Sequence, residues 1–310
     1  MTVRAALVGF GYWGANLARN LAAASSVEFV GIADVSDELR SEAARRFPGV
    51  RVYRSLAEVL ADPDVEAVVL ATPAATHGAL ATEVLRSGRH VLVEKPLATD
   101  VAAARLICDT ADEMGRTAMV GHTFLYSPPV LHLAELIASG ELGAVKYLYS
   151  QRLSLGRIRS DCDALWNLAP HDVAMLCFLV GEIPAVVTAR GFSFLQSGID
   201  DVCFASLEFP SGVGANIHVS WIDPRKTRLM TVVGDEKMAV YDDVSADQKI
   251  WVFDSGVANR PEPSASEYAD MADFQWRTRS GDIRIPRIPM VEPLLAEIEE
   301  FGRCCADGLV

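Results

Sequence analysis

An apolar run, Ala5-Ala6-Leu7-Val8, feeds directly into Gly9-Phe10-Gly11-Tyr12-Trp13-Gly14, and a helix-compatible stretch follows at once. The next apolar run, Val27–Ala33, closes on Asp34, 20 positions beyond Gly14. A glycine triplet alone carries little weight. Set between a strand and a helix, with an acid at that distance, it points to a βαβ unit built to hold a dinucleotide. Gly9 permits the tight turn, Gly11 lets the backbone approach a pyrophosphate, and Gly14 lets the helix pack close to the strand. The amides that open the helix and its dipole favour phosphate charge. The whole loop, Phe10, Tyr12 and Trp13 included, is read as the cofactor loop. Asp34 would accept hydrogen bonds from a ribose diol and repel a 2′-phosphate, so the cofactor expected is NAD rather than NADP.

The alternation continues through residue 123. Strands are predicted at Val3–Val8, Val27–Ala33, Val50–Tyr53, Ala67–Ala71, His90–Val93 and Thr117–Val120. Between them lie helices at Trp13–Ala24, Asp37–Phe47, Ser55–Ala61, His77–Ser87 and Val101–Met114. Continuous apolar strands alternating with helices imply a parallel sheet covered on both faces, a doubly wound α/β Rossmann domain over residues 1–123.

Beyond residue 124 the pattern changes. A helix at Val130–Ser139 is followed by strand-like runs, several alternating apolar and polar as in Asn216-Ile217-His218-Val219-Ser220-Trp221. These runs are Val145–Leu153, Ala185–Phe194, Val202–Phe209, Gly214–Trp221, Arg228–Val233, Met238–Tyr241 and Lys249–Phe253. One helix interrupts them near Ala169–Val180, and another ends the chain at Glu292–Cys305. Residues 255–281, polar and containing Pro261 and Pro263, read as a long loop. Residues 124–310 are thus an α+β domain on a mainly antiparallel sheet with one open face. That face is expected to join copies of the chain into a homodimer or homotetramer, a solvated face being the alternative.

Composition narrows the function classes. With 28 Lys and Arg against 41 Asp and Glu, the net charge is −13, which argues against a nucleic-acid or anionic-membrane surface. No stretch reaches the ~18 uninterrupted apolar residues of a membrane helix, and the first strand begins where a signal peptide would lie. The six cysteines form no C-x-x-C pair and the six histidines show no ligand spacing. Reduced thiols, a cytoplasmic location and no metal site are therefore expected.

Two further runs carry chemistry. His90-Val91-Leu92-Val93-Glu94-Lys95-Pro96 brings Glu94 and Lys95 to the carboxyl edge of the sheet, where ligands bind in this architecture. Glu94 and Lys95 are placed against the cofactor, and Lys95 is suited to bind a substrate oxygen and stabilise its developing charge. Thr72, Pro73 and His77 follow the fourth strand at the same edge and are candidate cofactor contacts; His77 is equally suited to cap a helix. The run Trp166-Asn167-Leu168-Ala169-Pro170-His171-Asp172 is read as a helix start around Pro170. His171 would then sit in the first turn, where the dipole favours the neutral imidazole that a general base needs. Arg152, Arg157 and Arg159 flank Gly156 just before it, and guanidinium forks suit diphosphates or carboxylates. Solvated arginines are the alternative. Tyr126 is a candidate sugar contact or a domain-interface aromatic.

Together the Gly9–Gly14 loop with Asp34, the Glu94-Lys95-Pro96 triplet and the histidine helix resemble the Gfo/Idh/MocA (glucose-fructose oxidoreductase/inositol dehydrogenase) family over essentially the whole chain. The resemblance implies an NAD(P)-dependent oxidoreductase with Lys95 and His171 catalytic. Many members carry an aspartate where Asn167 stands; an amide is no carboxylate base, so proton transfer shifts to His171. The wording around Gly121–Tyr126, Ser150–Leu153 and Trp166–Asp172 is similar to a nucleotide-sugar subgroup acting at C3 of an NDP-sugar. Tyr126, Arg152, Arg157 and Asn167, with Lys95 and His171, are the substrate-binding residues this implies. A free-polyol or inositol-type dehydrogenase and a non-catalytic NAD-binding regulator remain alternatives. Members usually continue past the helix matching Glu292–Cys305, so the sequence reads as a C-terminally truncated member.

Overall fold

The structure is a computed structural model that describes residues 2–160, 162–257 and 278–309. The chain divides into two compact units, Met1–Tyr126 with Val291–Val310, and Ser127–Met290.

The first unit alternates β1 (Val3–Val8), α1 (Gly14–Ala23), β2 (Val27–Ala33), α2 (Asp37–Arg46), β3 (Arg51–Tyr53), α3 (Leu56–Ala61), β4 (Ala67–Leu70), α4 (Ala74–Arg86), β5 (His90–Glu94), α5 (Val101–Met114) and β6 (Ala118–Gly121). A 3₁₀ turn, Thr123–Tyr126, follows. The six strands are parallel in the order β3-β2-β1-β4-β5-β6, which reverses between β1 and β4. Such a reversal opens a crevice at the carboxyl ends of the strands. Val8, Leu70 and Val93 lie in the apolar core on one face, while Leu7, Val69 and Leu92 lie in the core on the other. The helices start where the sequence supplies caps. Ser36, Ser55 and Asp100 each accept a backbone N–H with the side chain at the head of α2, α3 and α5. In α3 the Glu58 carboxylate reaches back to the Arg54 N–H at 2.7 Å, one residue ahead of the usual capping box.

The second unit holds α6 (Pro128–Ala138), β7 (Val145–Leu155), α7 (Ala164–Val180), β8 (Val186–Phe192), β9 (Val202–Glu208), β10 (Gly214–Ser220), β11 (Ile222–Gly234), β12 (Met238–Asp242), β13 (Ile250–Val257) and β14 (Thr278–Arg284). Its eight strands run in the order β14-β13-β12-β11-β7-β10-β9-β8, and all pairs are antiparallel except β7 with β10.

Three expectations change. The final helix, α8 (Pro293–Asp307), belongs to the first unit, not the second. Its stripe Leu294, Ile298, Phe301 and Cys305 completes the core beneath α1 and α2, and Arg19 and Asn20 of α1 hold Glu292 at its head. The expected loop over 255–281 is strand at both ends, since β13 runs to Val257 and pairs with β14; Pro261 and Pro263 lie outside the described residues. The polar run Thr278–Arg284 lacks apolar alternation because it forms the edge of its sheet. Finally, α7 begins at Ala164, one and a half turns earlier than expected. The Asp163 side chain caps this start by accepting the Trp166 N–H at 2.8 Å, and Pro170 sits inside the helix. Among the described residues no helix is long and apolar enough to cross a membrane, and no cluster of His, Cys, Asp and Glu could hold a metal ion.

Candidate cofactor and catalytic site

In the first unit the glycine loop joins β1 to α1 at the strand-order reversal. Gly9 has φ +98°, and a Cβ there would come within 2.6 Å of the Ala71 carbonyl oxygen. A Cβ on Gly14 would lie 2.0 Å from the Gly9 oxygen, so helix and turn close only with glycine. A Cβ on Gly11 would meet nothing within 4 Å. The space beside Gly11 is thus open for a ligand backbone, which fits a dinucleotide pyrophosphate. The first turn of α1 contains no acid, and Trp13 at its N-cap forms no side-chain cap. No carboxylate there competes with an anion at the helix head.

Asp34 ends β2 and turns towards this loop. One carboxylate oxygen accepts the Phe10 N–H at 2.7 Å and the other accepts the Ser36 N–H at 2.8 Å. Each oxygen retains a lone pair for a ribose hydroxyl. Arg40 donates to the Asp34 carbonyl oxygen at 2.7 Å and pairs with Asp37. The Phe10 ring, by contrast, is in the core, edge-on to Phe47, whereas Tyr12 is 91% exposed.

At the neighbouring edge, Glu94 closes β5 and Lys95 follows. The Trp13 indole N–H donates to Glu94 Oε1, linking the glycine loop to the Glu94-Lys95-Pro96 triplet. The other Glu94 oxygen accepts the Lys95 N–H at 3.2 Å. Burial pushes the Glu94 carboxyl up to about 7, against the pull of these donors and of the Lys95 charge. Thr72 and Pro73 lie partly or fully exposed after β4. His77 is 1% exposed, with Nδ1 2.7 Å from the Pro96 carbonyl oxygen and Nε2 2.9 Å from that of Thr72. Its ring ties together the two loops expected to flank the cofactor, so its own part is to brace them rather than to face a ligand. Tyr126 ends the 3₁₀ turn, where burial, aided by Glu297 and Glu300, pushes its phenol up to about 12.

In the second unit, Asn167 and His171 stand four residues apart on α7 and so share a face. His171 is in the third turn rather than the first, and the dipole at the head of α7 does little for it. Arg157 is exposed in the loop before α7. Arg152 turns inward: its Nε donates to Asp172 Oδ2 at 2.6 Å and its Nη2 approaches Oδ1 at 3.4 Å. The two side chains are 8% and 2% exposed. The guanidinium read from sequence as a substrate fork therefore anchors α7 to β7. Sequence reasoning missed Asp172, Glu297 on α8, and the Trp13–Glu94 bond. Asp172 and Glu297 are the buried acids in helices whose neighbouring apolar residues mark the inward face.

Comparison with known proteins matches two family profiles. An oxidoreductase family with an NAD-binding Rossmann fold covers residues 3–122, and the GFO/IDH/MocA C-terminal domain covers residues 130–240. The chain is 37% identical over 226 residues to inositol 2-dehydrogenase of Mycolicibacterium smegmatis, spanning 70% of this chain and 65% of that one. It is 29% identical over 241 residues to UDP-N-acetylglucosamine 3-dehydrogenase of Acidithiobacillus ferrooxidans, spanning 77% and 74%. A solved structure of that enzyme superposes with TM-score 0.79 at 25% identity, covering 99% of this chain and 90% of that one. The WlbA dehydrogenase of Bordetella pertussis, solved with NADH and UDP-GlcNAcA, is 26% identical with TM-score 0.72, covering 79% and 77%.

Proposed function

The chain belongs to the Gfo/Idh/MocA family of NAD-binding oxidoreductases, and from that membership we propose that it moves a hydride between NAD and a secondary alcohol carbon of a sugar, carried as a nucleotide sugar and reacting at C3. The observation that carries the reading is the Trp13–Glu94 bond, which couples a loop shaped for a pyrophosphate to the turn that presents Lys95. Bound NAD supplies the hydride acceptor. Lys95 orients the substrate oxygen and stabilises its charge as the carbon–hydrogen bond breaks. His171 takes the hydroxyl proton, and Asn167 holds the sugar as donor and acceptor. Oxidation then yields a ketone, the reduced cofactor and one proton; ketone reduction uses the same groups in reverse.

Exposed Arg157 and the likeness to UDP-N-acetylglucosamine 3-dehydrogenase over almost the whole chain support the nucleotide-sugar class. The 37% identity to inositol 2-dehydrogenase favours a free cyclitol as the second reading. A screen of UDP- and dTDP-sugars against free polyols, followed at the absorbance of reduced nicotinamide, separates them; turnover confined to polyols overturns the first. Lys95→Ala is expected to lower kcat/KM by at least ~100-fold, in the range for loss of an oxyanion partner. Unchanged turnover refutes the catalytic assignment. A homodimer or homotetramer through the open face of the eight-stranded sheet completes the proposal. That face exposes Val186 and Phe204 and carries Phe204 stacked on His218 at 4.3 Å.

A further inference from the structure

The proposed chemistry moves no proton on Glu94 or Glu297, yet both acids face one segment, the end of β6 and the turn after it. Parallel pairing of β5 and β6 sets Glu94 opposite Gly121, so closely that a Cβ on Gly121 would be 3.2 Å from the Glu94 carboxyl. Two residues on, the Thr123 hydroxyl donates to Glu297 Oε2 at 3.0 Å. Glu297 itself is 0% exposed, and its Oε1 is buried with no hydrogen-bond partner. The groups facing the pair come from every neighbouring element. The glycine loop supplies the Trp13 indole, and the turn after β5 supplies the Lys95 amide and ammonium. His122, just after β6, faces Lys95, and burial and that charge both lower it. The 3₁₀ turn brings Thr123 and Tyr126, and α8 adds Glu300, Arg303 and Cys304 around Tyr126. Lys95 offsets the charge of Glu94, while the Glu94 charge and the Thr123 hydroxyl act on Glu297.

A desolvated carboxylate with an unpartnered oxygen is far less stable than the neutral acid, and a second carboxylate beside it sharpens the penalty. Thr123 occupies one oxygen of Glu297, which leaves Oε1 to carry a proton. Burial pushes Glu297 up to about 8, with the Glu94 charge adding to the shift.

We propose that Glu94 and Glu297 form a proton-holding pair behind the glycine loop and Lys95, and that oxidised cofactor, whose nicotinamide ring is a cation, displaces this proton on binding while reduced cofactor does not. The inference rests on the reading of the site as one for NAD. The balance is simple: the acid pair with one proton plus NAD⁺ gives the ionised pair, the bound cation and a proton in solvent. By linkage, affinity for NAD⁺ rises with pH, by up to about tenfold per unit where release is complete, while affinity for NADH does not. The pair would thus make the preference between the two redox forms depend on pH.

The test is calorimetric titration of the whole chain with NAD⁺ and with NADH at pH 7.0, in buffers of different ionisation enthalpy, which counts protons released. Release on NAD⁺ binding, none with NADH, and loss of release in Glu297→Gln are expected. Binding of NAD⁺ without release, or equal release with both forms, overturns the inference and leaves the cofactor reading intact. The same holds for undiminished release in the variant. The NAD⁺–NADH comparison on the unaltered chain decides the matter should Glu297→Gln fail to fold. If neither form binds, the cofactor reading fails and the inference with it.

Discussion

Replacing Arg152 with methionine separates two roles that the sequence alone leaves open. In the structure its guanidinium grips Asp172 at 2.6 Å, with both side chains nearly sealed from solvent. Methionine fills much of the same space but leaves the Asp172 carboxylate buried beside no bonded cation. Breaking one partner of such a buried pair costs about 3–5 kcal/mol, whereas replacing both with apolar residues is often near neutral. Arg152→Met is therefore expected to lose that amount and about 10 °C of Tm, and Arg152→Met/Asp172→Leu to recover most of it. Urea unfolding followed by tryptophan fluorescence suits the test, because Trp166, Trp221 and Trp251 report on the second unit. A substrate-binding arginine would behave otherwise: stability would hold and KM would rise. That result refutes the anchoring argument.

Other outcomes follow from the same structure. Glu297 holds its proton in the folded state up to about 8, against an ordinary 4.5. The folded chain thus binds more protons than the unfolded chain between these values, and stability falls as pH rises through them. Glu297→Gln should flatten that fall, by on the order of 3 kcal/mol, in thermal unfolding at pH 5 and pH 8.5; parallel curves would contradict the assignment. Asp34→Ala removes the acceptor of the Phe10 N–H and the proposed ribose ligand. Binding titrations should show weakened NAD and a narrowed gap to NADP, and an unchanged gap would remove Asp34 from cofactor choice. Phe204→Asp, on the open sheet face, should lower the mass in light scattering towards the monomer; an unchanged oligomer would place its interface elsewhere.

The Rossmann unit was legible because several local signals agree. Gly9 and Gly14 are required by contacts of 2.6 and 2.0 Å that a Cβ would make, and the acid at the end of β2 turns to the same loop and accepts the Phe10 N–H. The second unit was legible in its strand alternation but not in its boundaries. Pro170 suggested a helix start, yet the helix begins further upstream, where Asp163 caps it, and Pro170 lies inside α7. The return of α8 to the first unit depends on which core its apolar stripe completes. Spacing within a helix shows that a stripe exists, not what lies against it.

Polar residues were the harder class, since a side chain that faces a ligand and one that faces the core have the same name in the sequence. Periodicity nonetheless held part of the answer. On β7, Leu148, Ser150 and Arg152 occupy one face and are buried, while Tyr147, Tyr149 and Gln151 occupy the other. The parity of Leu148 therefore turns Arg152 inward, and a buried guanidinium demands an acid, which α7 supplies as Asp172. On α4, His77 shares its stripe with Ala81, Val84 and Leu85, all buried. On α8, Glu297 lies beside Ile298 and three residues from Leu294. In each case the helix or strand period places the polar group in the interior. What the period cannot supply is the partner across the interior. That partner decides the outcome: Arg152 with its carboxylate is an anchor, His77 between two carbonyls is a brace, and Glu297 with one unpartnered oxygen is a group prepared to exchange a proton.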